Sequence, residues 1–118
     1  MDEKEIVERL LRKAGVNRLT ASVYKDSVEI RITTPVAGRA RDFAKIVTEN
    51  YKIIRSGRED LVRDLKASPV VRGLTAYENM AVATRDGVTF GASIIFDRLD
   101  PPAQSQVIDI VKKHMKVT

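Results

Sequence analysis

Thr84-Arg85-Asp86-Gly87-Val88-Thr89-Phe90-Gly91-Ala92-Ser93-Ile94-Ile95-Phe96 is the stretch on which the fold turns. Val88, Phe90, Ala92, Ile94 and Phe96 fall on alternate positions, and a strand of period two puts all five on one face. Asp86-Gly87 is a strong hairpin signal, because the tightest turns need positive φ and glycine adopts it without steric cost. A hairpin needs a first arm, so residues 79–85 are expected as a strand, although Tyr77, Met80, Ala81 and Thr84 also fit helical spacing. Residues 70–75 read as a further strand ahead of it.

Working outward, Asp100-Pro101-Pro102 supplies a capping carboxylate and a proline suited to a first helical turn. The last helix follows, with Ala103, Val107, Ile110, Val111 and His114 as its buried stripe. Upstream, Thr34-Pro35 opens a helix running to about residue 54, whose apolar side is Val36, Ala40, Phe43, Val47, Tyr51 and Ile54. Arg55-Ser56-Gly57 is expected to break it, and a short helix over 58–67 carries Leu61, Val62 and Leu65. Leu19, Ala21 and Val23, then Val28, Ile30 and Ile32, alternate as two strands around a turn at Lys25-Asp26-Ser27. Ile6, Val7, Leu10, Leu11 and Ala14 recur at helical spacing and Gly15 follows as a cap, giving a first helix over 3–14. The expectation is one α+β domain over residues 1–118. It has a single five-stranded, mostly antiparallel sheet with helices packed on it, in the order αββααβββα.

Composition narrows the chemistry. The 118 residues are 43% hydrophobic and 31% charged, a globular balance. No run approaches the roughly 18 apolar residues of a membrane span. The absence of cysteine removes disulfides, thiolate catalysis and cysteine-ligated metals. Met1-Asp2-Glu3-Lys4-Glu5 is too charged for a signal peptide, so a cytoplasmic location and no membrane partner are expected. A net charge of +5 is compatible with an anionic partner.

Catalytic and metal-binding patterns do not assemble. His114 is the sole histidine, and without cysteine it cannot build a nitrogen–sulfur zinc site. Six glycines make neither a dinucleotide-binding nor a phosphate-loop fingerprint. Asp97 and Asp100 flank Arg98, but Asp100 already caps a helix. No catalytic residue, metal ligand or cofactor is therefore expected.

The basic residues of the long helix are the most informative polar feature. Taking Arg41 as 0°, Lys45 falls at about 40°, Lys52 at about 20° and Arg55 at about −40°. Phe43, Val47 and Ile54 fall at about 200–240°, on the opposite side. Arg39 precedes this stripe and Arg58 follows it. These six cations, Arg39, Arg41, Lys45, Lys52, Arg55 and Arg58, form a candidate surface for phosphates or an acidic partner; a solvated helix face is the plainer alternative. Tyr24 and Tyr77 are the aromatics that could stack on a base, although such residues more often sit at a hairpin edge; Phe43, Phe90 and Phe96 occupy core positions.

Two families share parts of this pattern. The leading helix ending Lys13-Ala14-Gly15-Val16, the hairpin at Lys25-Asp26, the Asp86-Gly87 turn, the strand over 88–96 and the closing helix resemble the roadblock family. That resemblance implies a dimer built from small α/β protomers and a scaffolding or GTPase-regulating role. The helix at 58–67 and the basic charge depart from that family's pattern. Residues 1–75 also resemble the type II KH domain. Ala14-Gly15-Val16-Asn17-Arg18 leads into two strands, two helices and a strand, and Ile54-Arg55-Ser56-Gly57-Arg58 stands where that family's glycine loop meets nucleic acid. One glycine stands there where the family has two. The leading expectation is thus a non-enzymatic protein-interaction module, a homodimer of roadblock-like architecture. The alternative is a nucleic-acid-binding protein.

Overall fold

The structure is a computed structural model that describes Glu3 and residues 18–35, 43–79, 81–85 and 87–118. It is an α+β fold: β1 (Thr20–Val23), β2 (Ser27–Thr34), α1 (Phe43–Ala67), β3 (Thr75–Glu78), β4 (Val82–Thr84), β5 (Gly87–Ile95), α2 (Pro101–Lys112) and β6 (Lys116–Val117). The helix expected over 3–14 lies, Glu3 apart, outside the described residues.

β2 and β5 form the centre of the sheet, paired antiparallel from Ser27↔Ile95 to Thr34↔Val88. β1 extends it through an antiparallel ladder, Ala21↔Ile30 among its pairs. The turn between β1 and β2 is closed by the Tyr24 amide donating to the Ser27 carbonyl at 2.8 Å. The alternation expected in both segments is observed: Ala21, Val28, Ile30, Ile32, Phe90, Ala92 and Ile94 are all buried. They face α1 and α2, whose Ile54, Leu61, Leu65, Val107 and Val111 complete one apolar cluster. Burying side chains of this size contributes about 1.5–3 kcal/mol each.

Five expectations need correction. Among the described residues the sheet has six strands and is mixed: the chain turns after α2 and lays β6 parallel to β1, with Thr20↔Lys116 and Ala21↔Val117. A two-residue strand is too short to show periodicity, and a sequence pattern carries no trace of it. The strand expected at 70–75 begins instead at Thr75, because Gly73 adopts φ +66° and residues before it turn. The strand expected at 79–85 shortens to β4, and β3 and β4 run in tandem along the same side of β5. Asn79 separates them.

The two helices expected on either side of Gly57 are one helix of 25 residues. Glycine costs a helix about 1 kcal/mol relative to alanine, but here its missing side chain is used. A Cβ at position 57 would collide with the Leu19 side chain, which is fully buried against the helix. Close approach of α1 to Leu19, the residue before β1, therefore requires glycine without ending the helix. Phe43 is the remaining correction: it is 41% exposed, two turns before Asn50, the first buried position of α1. Phe90 and Phe96 are buried as expected.

Local chemistry explains the other termini. The Asp100 carboxylate accepts from the Ala103 amide at 2.8 Å, and prolines follow in the first turn of α2. Gly87 has φ +146°, and a Cβ there would strike the Thr34 carbonyl; Asp86 lies outside the described residues.

Candidate functional site

Asn79 organises the margin of the sheet. Its amide donates to the Gly91 carbonyl at 2.9 Å, and its side-chain Nδ2 donates to Ser93 Oγ at 2.9 Å. Its carbonyl accepts from the Tyr51 hydroxyl at 2.5 Å. Tyr51 in turn meets Phe90 edge to face, ring centroids 5.4 Å apart. Burial, with the charge of Glu78 adding to it, raises the Tyr51 pKa above its ordinary value. The interruption between β3 and β4 is thus pinned to the core by α1.

Alternation then sorts the side chains. Ala76 and Glu78 point to the helical side, as Ile94 and Ala92 opposite them do. Thr75 and Tyr77 point to the other face, opposite Ile95 and Ser93. Val82, opposite Thr89, joins that second face. Tyr77, Val82 and Ile95 are 44%, 58% and 41% exposed, so three large apolar side chains lie on the face away from the helices, Tyr77 and Ile95 in the β3–β5 ladder and Val82 in the β4–β5 ladder.

On the helical side, Glu78 meets the flank of α1. Its carboxylate takes the Arg55 Nε–H and lies 3.9 Å from Arg58. Hydrogen bonding from Arg55 is the main cause that holds the Glu78 pKa below its ordinary value, with the charges of Arg55 and Arg58 adding and desolvation opposing. The same hydrogen bond chiefly raises the Arg55 pKa. Beyond this pair lies an open groove of about 380 Å³ lined by Arg58, Glu59, Val62, Arg63, Lys66 and Ala76.

The six candidate cations therefore separate. Arg39 and Arg41 lie outside the described residues. Lys45 and Lys52 are exposed on α1. Arg55 and Arg58 converge on Glu78. Glu78, Arg63 and Lys66 were missed by sequence reasoning. For the latter two the signal was present: on an unbroken helix they fall at about 40° and −20° from Arg41, within the same stripe. Reading a break at Gly57 hid it.

Three further polar groups make contacts within the fold, His114 and Asp97, which the sequence singled out, and Asn50, which it did not. His114 lies past the end of α2, and its Nε2 is 2.6 Å from Asp64 on α1. The Asp97 amide donates to the Arg72 carbonyl at 2.8 Å. Asn50, buried within α1, accepts from the Thr34 hydroxyl at 2.6 Å and donates to the Ile46 carbonyl at 2.7 Å. Among the described residues no three His, Asp or Glu side chains group as metal ligands, and no helix is long and apolar enough to cross a membrane.

Compared with protein-family models, curated proteins and solved structures, the chain matches none.

Proposed function

We propose that this chain is a non-enzymatic protein-interaction module that self-associates through the exposed face of its β3–β4–β5 margin. The observation that carries this reading is the set of Tyr77, Val82 and Ile95, three large apolar side chains exposed on one face along β5. An exposed apolar row beside an unpaired strand is a surface that folded proteins usually cover. A second copy covers it without any other component, and two-fold pairing would bring the same row from each protomer together. The roadblock resemblance implies a dimer as well.

Sedimentation velocity at micromolar concentration tests this. The wild type is expected to run larger than a monomer, and Tyr77→Arg combined with Ile95→Lys is expected to run as a monomer with unchanged circular dichroism. A wild type that stays monomeric at several hundred micromolar overturns the self-association.

Nucleic-acid binding is the second reading, supported by the exposed Lys45 and Lys52 and by the continuation of their stripe to Arg63 and Lys66 on one helix. It has less support, since Glu78 already engages Arg55 and Arg58. Four phosphate contacts would give a log–log salt slope of roughly −3 to −4.

A further inference from the structure

From the outer edge of β3 and the groove beside it, we infer a docking site for an extended acidic peptide segment of another protein, which adds to the sheet as a strand. This rests on the chain being an interaction module, but not on its self-association.

In an antiparallel ladder the residues that hydrogen-bond across a pair alternate with those that do not. The Asn79 amide donates to the Gly91 carbonyl, so Tyr77 and Thr75, at the same parity, direct their backbone groups to β5. Ala76 and Glu78 direct theirs outward. Among the described residues no strand pairs with β3 on that side. Two residues thus present amide and carbonyl groups at strand spacing, the template that an added peptide strand uses.

Arg58, Val62 and Lys66, at successive turns of α1, line the groove together with Ala76 of β3. A strand laid on β3 would run along this groove. Its inward side chains would meet Val62 and Ala76 together with the exposed Arg63 and Lys66. Arg58 lies 3.9 Å from Glu78, which leaves Arg63 and Lys66 against one lining carboxylate, Glu59. Lys66 has no ion-pair partner among the described residues, and Arg63 has only the exposed Asp60 at 3.7 Å. The groove is therefore complementary to carboxylates on the inward positions of the incoming strand. The outward positions would lie beside Tyr77, which suits apolar residues. The partner is thus an alternating acidic and apolar segment. A second copy suits this edge less well, because pairing β3 with its own copy would bring two cationic flanks together.

The probe is a capped peptide of about six residues alternating glutamate and valine, long enough to cover β3 at about 3.4 Å per residue. Its lysine–valine counterpart is the control. Titration by heteronuclear NMR on the full chain is expected to shift Ala76 and Glu78 amides with the acidic peptide alone, and added salt weakens the binding. Ala76→Pro removes an outward amide while sparing the ladder to β5, and is expected to weaken binding about tenfold or more. Arg63→Glu with Lys66→Glu, on an exposed helix face where folding is undisturbed, is expected to do the same.

Failure of the acidic peptide to bind at about 1 mM, the weak end of specific recognition, overturns the inference. So does equal binding of the lysine peptide. Ala76→Pro that folds and binds as well as wild type overturns the added strand. If the acidic peptide does not bind and Ala76→Pro instead converts dimers to monomers, the edge belongs to a second copy. An oligothymidylate that binds more tightly than the peptide, and equally to Ala76→Pro, assigns the cations to nucleic acid and also overturns it. The sedimentation test uses Tyr77 and Ile95, so either reading can fail while the other stands.

Discussion

The two edges of the sheet are built in opposite ways. At one, β6 is only two residues long, carries Lys116, and is followed by Thr118, whose amide donates to the Ala21 carbonyl at 2.8 Å. Short length and an exposed lysine are devices by which proteins discourage further strands. At the other, β3 offers four residues in regular pairing, a tyrosine on one face and a groove on the other. Both edges draw on the same core. What separates them is the few side chains that would meet an incoming strand, so an edge can invite a partner without loss to the fold.

The largest effect should come from removing what the edges share. Phe90 is fully buried, and Tyr51 packs against it beneath β3. Phe90→Ala is expected to cost about 3–5 kcal/mol by denaturant unfolding, with both edges lost in one transition. Separate transitions for the two sides would show that the edges do not share one core.

A smaller effect confined to the β1–β6 side should follow from Gly57→Val. The new side chain would displace Leu19, and overpacking of this kind costs about 1–3 kcal/mol. Amide exchange is expected to quicken in β1 and β6 more than in β3. Equal loss at both edges would mean that α1 moved as a whole.

The smallest concerns Glu78, which acts at the β3 edge alone. Its folded pKa lies below the ordinary value of 4.5. The stabilisation it brings is therefore present above that value and lost as pH falls through the folded pKa. Glu78→Gln is expected to lower Tm by no more than about 4 °C at pH 7, because exposed ion pairs contribute little. The two proteins should converge in acid. A difference that persists at pH 2 would show that Glu78 acts through packing rather than charge.

Alternation made the centre of the molecule readable in the sequence. β1, β2 and β5 each bury one face, so Ala21, Val28, Ile30, Ile32, Phe90, Ala92 and Ile94 announce themselves by period two. The Asp100 cap was equally plain, since aspartate before two prolines has one local meaning. The margin was less readable because non-local contacts set it. β3 and β4 are held by Asn79 and Tyr51, twenty-eight positions apart, and no local pattern records that bond. Gly57 misled for the same reason: its partner, Leu19, lies far back in the chain. The candidate site inherited the error, for a helix read as broken cannot show a cationic stripe that crosses the break. Arg55 and Arg58 were found, but their partner Glu78 was not, because the strand that carries it was placed elsewhere.

The central pairing also sets an order of events during folding. β3 and β4 meet β5 across short connections, whereas β2 meets β5 only after all of α1 has been enclosed, Thr34 joining Val88. Closing the longer loop carries the greater entropic cost. The hairpin that bears the candidate docking edge can therefore assemble while the opposite side of β5 is still unpaired. For that interval the most apolar strand of the chain exposes bare backbone, and α1, threaded between the two halves of the ladder, decides how long it lasts. Substitutions that weaken α1 would slow closure even where they touch neither strand, and the consequence would be aggregation during synthesis rather than a less stable native state.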